Sequence, residues 1–93
     1  MKVIWRLYRY SYQLPLIDES YHHIICTFRG NGSLKLILGV GSSPILALSD
    51  CVTSAKRKLA LTDDECDVLF AFLYEQFGIP SFDDGSVDEE VPF

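Results

Sequence analysis

An α+β fold, with an antiparallel three-stranded sheet followed by two helices on one face (β-β-β-α-α), follows from three features of this 93-residue chain. Val, Ile, Trp and Tyr dominate Lys2 to Leu14 and alternate faces as a strand does, and two further alternating runs follow up to Val40. Gly30-Asn31-Gly32 separates two of these runs as a hairpin turn, since glycine and asparagine tolerate positive φ. From Pro44 to Gly78 the apolar spacing changes to three-to-four, the period of a helix.

The first run, Lys2 to Leu14, places Val3, Trp5, Leu7 and Arg9 on one face and Ile4, Arg6, Tyr8, Tyr10 and Tyr12 on the other. Pro15 ends it, and Ile17-Asp18-Glu19-Ser20 reads as a loop. The second, Tyr21 to Arg29, sets His22, Ile24, Cys26 and Phe28 against Tyr21, His23, Ile25, Thr27 and Arg29. In the third, Ser33 to Val40, the aliphatic series Leu34, Leu36, Leu38 and Val40 is expected in the core, with Lys35 and Ile37 opposite.

Gly39-Val40-Gly41-Ser42-Ser43-Pro44 then converts strand into helix, with Ser43 as the cap and Pro44 at the first helical position. Ile45, Leu48, Val52, Ala55 and Leu59 form one stripe, and Lys56-Arg57-Lys58 complements the dipole in the last turns. After a very short connection, Thr62 and Glu65 make a capping box, and Asp63, Asp64 and Glu65 fill the first turn. Gly78 and Pro80 end this second helix. Cys66, Leu69, Phe70, Leu73 and Phe77 share its face, and Val68 and Phe72 widen it. Such a helix is expected at the centre of the core, buried on more than one side.

One domain, residues 1–80, with an acidic flexible tail at 81–93, accounts for the length and the composition shift. A hydrophobic fraction of 48% excludes wholesale disorder. No apolar run approaches the roughly 20 residues that span a bilayer, so no membrane partner is expected. Arg6 and Arg9 interrupt the N-terminal apolar residues, which argues against a signal peptide. Cys26, Cys51 and Cys66 are odd in number and lack metal-ligand spacing, and they read as buried hydrophobes in a reducing cytoplasm.

The net charge of −5 conceals a bipolar chain. Residues 1–61 hold all eight Lys and Arg against Asp18, Glu19 and Asp50, a balance of +5. Residues 62–93 hold ten Asp and Glu with no Lys or Arg.

No catalytic, cofactor or metal signature is found. His22 and His23, neighbours on a strand, point to opposite faces and do not suit one metal ion. No G-x-S-x-G elbow surrounds a serine or cysteine, so the chain is read as non-enzymatic. An enzymatic reading would centre on His23 or a cysteine. The Gly39–Ser43 segment lacks the third glycine of a dinucleotide loop and the lysine of a P-loop, and reads as a turn with a helix cap. The order strand, turn, strand, Gly-x-Gly-x-Ser, helix resembles the second half of double-stranded RNA-binding domains. Pro44, Ile45 and Leu46 stand where those domains place lysines, and their leading helix is missing, so no family is assigned.

Two surfaces are candidates for binding. The acidic one, Asp63, Asp64, Glu65, Asp67, Asp83, Asp84, Asp88, Glu89 and Glu90, suits a protein partner with a basic surface, as a mimic of a phosphate backbone. Small acidic proteins of phages and mobile elements offer the analogy, and the expected role is an inhibitor or regulator. The alternative is the sheet face with Arg6, Tyr8, Tyr10, Tyr12, Tyr21, His23, Arg29 and Lys35, where rings and cations suit single-stranded nucleic acid or a protein interface. Val68 and Phe72 are expected to mediate a homodimer.

Overall fold

The structure is a computed structural model, and it describes residues 3–15 and 20–78. Strands β1 (Arg6–Gln13), β2 (His22–Gly30) and β3 (Ser33–Gly41) form one antiparallel sheet in that spatial order. Helices α1 (Pro44–Leu59) and α2 (Asp63–Phe77) follow, so the expected β-β-β-α-α order is present. The acidic segment 81–93, expected as a flexible tail, lies outside the described residues. Among the described residues no helix is long and apolar enough to cross a membrane.

The β2–β3 hairpin sets the register of the sheet. Asn31 (φ 53°) and Gly32 (φ 79°) are both left-handed, which makes a two-residue turn whose twist matches the strands. Gly30 therefore pairs with Ser33, and counting back pairs Phe28 with Lys35, Cys26 with Ile37, and Ile24 with Gly39. Residues paired across an antiparallel ladder share a face. Ile24, Cys26, Phe28 and Ile37 are all buried, so this is the covered face.

That pairing overturns the expected orientation of β3. Ile37 is in the core, while Leu34, Leu36 and Leu38 are 58%, 64% and 47% exposed on the opposite face. Their longer aliphatic pattern lost to the turn geometry. Past Ile37, the helix above β3 also leaves no room for side chains on the covered side at Gly39 and Gly41. A Cβ on Gly39 would collide with the Ala47 carbonyl and Cys51 Cβ, and one on Gly41 with the Ala47 amide. The glycines thus admit the backbone of α1 and do more than make a turn.

Helix α1 begins at Ser43, whose Oγ accepts the Leu46 N–H at 3.3 Å. Its buried residues Ala47, Leu48, Cys51, Val52, Ala55 and Leu59 pack on β3 and β2. Ala60 then takes a left-handed conformation (φ 54°), and the chain turns at once into α2. There the Thr62 N–H donates to Glu65 Oε1 at 2.8 Å, and Thr62 Oγ1 accepts the Glu65 N–H at 3.1 Å, the expected capping box.

Cys66, Leu69 and Leu73 are the buried residues of α2, which packs on α1. It is an outer helix, not the central one expected from its apolar circumference. Val68 remains 70% exposed and Phe72 39% exposed. Phe72 and Phe77 meet Tyr10 edge-to-face at 5.6 and 5.8 Å, and Phe77 lies 5.6 Å from the Tyr12 ring, joining α2 to β1. Both helices therefore lie on one side of the sheet.

Candidate functional site

The other side of the sheet is uncovered among the described residues. Arg6 pairs with Arg29 and Arg9 with Thr27, which places these residues on the face bearing Leu34, Leu36 and Leu38. Between them the register slips by one residue at Tyr8. A bulge of this kind moves every later side chain of its strand to the other face. Tyr8 stays on the open face, where the Arg29 guanidinium sits 4.2 Å from its ring centroid and that of Arg9 5.5 Å. Tyr10 and Tyr12 pair with Cys26 and Ile24 and turn toward the helices.

The structure therefore divides the residues expected on one aromatic, basic face. Arg6, Tyr8, His23 and Arg29 share the open face. Tyr10 and Tyr12 do not: the Tyr10 hydroxyl donates to Gln76 Oε1 at 3.2 Å, and the Tyr12 hydroxyl lies 2.7 Å from His22 Nδ1. Burial holds the Tyr12 phenol above its ordinary pKa. Lys35 pairs with Phe28 and so belongs to the covered side, at the sheet edge, and Tyr21 is exposed just before β2. In place of the inward tyrosines the open face carries the three leucines, with Ile25 and Thr27 of β2 beside them. The leucines were missed as surface residues. Their signal was the turn: a two-residue Asn31-Gly32 loop pairs odd positions of β3 with even positions of β2.

A groove lies between β1 and α2. It encloses about 510 Å³ and is lined by Trp5, Leu7, Phe28, Leu61, Val68 and Phe72 among others, with Asp64 and Glu65 at its rim. The two residues expected to self-associate, Val68 and Phe72, both line it.

The acidic candidates divide as well. Asp63 accepts a 2.6 Å bond from Lys56 Nζ, so part of the acidic first turn is matched by the basic last turn of α1. That bond and the opposite charge of each partner hold the Asp63 carboxyl below its ordinary pKa and the Lys56 amine above its own. Asp64, Glu65 and Asp67 are exposed, Glu65 serving the capping box. Asp83, Asp84, Asp88, Glu89 and Glu90 lie outside the described residues.

The groups considered for catalysis are not assembled. His23 and Cys26 point to opposite faces of the sheet. The thiols of Cys26 and Cys51, both fully buried, touch each other at 3.7 Å. Contact with Cys51 and burial push the Cys26 thiol far above its ordinary pKa, away from the nucleophilic thiolate. Burial raises the Cys66 thiol too. No protein-family model, curated protein or solved structure matches this chain.

Proposed function

We propose that the protein is a small non-enzymatic interaction module of the cytoplasm, which regulates a partner protein by binding it through the open sheet face. The observation that carries this reading is the uncovered aliphatic row Leu34, Leu36 and Leu38 beside the Tyr8–Arg29 stack. Burying each leucine against a partner is worth about 1.5–3 kcal/mol, and Tyr and Arg are residues that anchor interfaces. Single-stranded nucleic acid is the less favoured ligand. It needs several free rings for stacking, whereas Tyr10 and Tyr12 face the helices and Arg29 already lies over Tyr8.

A second reading keeps the acidic surface as the working one, with the protein as an inhibitor that offers its carboxylates to a basic partner. Its support is the position of Asp64 at the rim of the apolar groove, where a basic partner with an apolar anchor would find both complements.

Affinity capture from the source cell separates these readings, with the wild-type chain, Leu36→Asp, and the pair Asp64→Asn/Asp67→Asn as baits of equal thermal stability. The expected result is a protein held by the wild type and the double amide variant and lost by Leu36→Asp. The reverse pattern would replace the sheet face by the acidic surface. Salt-sensitive oligonucleotide binding that disappears in Arg6→Ala/Arg29→Ala would instead establish the nucleic-acid reading.

A further inference from the structure

We propose that residues 79–93 of the same chain are the resident occupant of the open sheet face, so that a partner must displace them to bind. This rests on the reading of that face as a docking surface and adds its regulation.

The chemistry of the two surfaces is complementary. The described strand residues include Arg6, Arg9, Arg29 and Lys35 but no Asp or Glu. Three of those cations are on the open face: Arg29 is paired with Leu34, and Arg6 and Arg9 lie one strand further across, on β1. The segment Ser81-Phe82-Asp83-Asp84-Gly85-Ser86-Val87-Asp88-Glu89-Glu90-Val91-Pro92-Phe93 carries five carboxylates and no cation, with Phe and Val among them. It is the acidic, apolar ligand that such a face would select, and it is already tethered.

The exit point fits as well. Phe77, the last residue of α2, packs on Tyr10 and Tyr12 of β1, an outer strand of the sheet. The chain thus leaves the helix beside the β1 edge, with the three arginines just around it on β1 and β2. Residues 79–93 extend to about 50 Å at 3.3–3.6 Å per residue, while three strands span only about 10 Å from first to last. A few residues suffice to round the edge, and the rest cross the face. Tethering keeps the effective concentration high, on the order of millimolar for a short tether, so weak contacts are enough.

The test uses the full chain with Ser86→Cys carrying a nitroxide. Cys26, Cys51 and Cys66 are buried, which directs the label to position 86. Expected is a loss of amide signal at Thr27, Arg29, Leu34 and Leu36, reversed by Arg6→Glu/Arg29→Glu and by 1 M salt, where the Debye length falls to about 3 Å. Signal loss confined to the end of α2, or centred on Val68 and Phe72, would overturn the proposal. So would the same loss in an isotope-labelled chain without nitroxide mixed with a spin-labelled unenriched one, since the occupant would then come from a second copy. If the contact is absent while Leu36→Asp still loses its captured protein, only the tail inference falls. If the contact is present while Leu36→Asp keeps every captured protein, the docking reading falls and the intramolecular contact stands.

Discussion

Gly39 holds the place where helix and sheet come closest. Glycine normally weakens a strand, yet here any side chain would enter the backbone of α1 at Ala47 and Cys51. Adding one methyl in Gly39→Ala should cost about 1–3 kcal/mol, the range for overpacking a tight core. Removing three heavy atoms in Leu36→Ala should cost less, because among the described residues nothing packs over that side chain and the proposed contact with residues 79–93 is weak. Urea unfolding of the two variants would check the order. A loss in Gly39→Ala no larger than in Leu36→Ala would mean that α1 can shift away from β3.

At the scale of elements, the two helices depend on a connection of three residues, Ala60, Leu61 and Thr62. Ala60 adopts a left-handed conformation that costs a residue with a Cβ about 1–2 kcal/mol. Ala60→Gly relieves this and should stabilise the protein by about 0.5–1 kcal/mol after the loss of chain entropy is counted. Thr62→Ala removes the hydroxyl of the capping box and should destabilise by about 1 kcal/mol. For a domain of this size each kilocalorie moves the melting temperature by roughly 4–8 °C, so opposite shifts in a thermal scan are readable. A loss of stability in Ala60→Gly would show that the short connection is not under backbone strain.

At the scale of the whole molecule, the one-sided stacking of helices leaves two apolar regions uncovered among the described residues, the leucine row and the groove with Val68 and Phe72. We expect Val68 and Phe72 to meet a second copy, giving a concentration-dependent dimer in sedimentation at micromolar protein that Val68→Asp returns to monomer. A monomer throughout the concentration range would assign that groove to another partner or to none. A dimer that persists in Val68→Asp would move the contact to another surface.

Element type and order were legible because they depend on short-range chemistry: the period of apolar residues, the Asn31-Gly32 turn, the Ser43 and Thr62 caps, and the glycine after Phe77. The candidate site was legible only in part. Arg6, Tyr8, His23 and Arg29 share a face as expected, but the bulge at Tyr8 turned Tyr10 and Tyr12 inward, and a bulge has no residue signature in this strand. The exposure of Leu34, Leu36 and Leu38 was written in the hairpin, though hydrophobicity pointed the other way. Alone, the sequence determined which segments are strands and helices and where the helices are capped, since those depend on neighbours a few residues away. The first strand, expected from Lys2, starts only at Arg6. Which face of each element is buried was decided by the tertiary structure. A one-residue change in pairing inverts a whole strand, and the close approach of α1 to Gly39 and Gly41 admits only one side of β3 to the core.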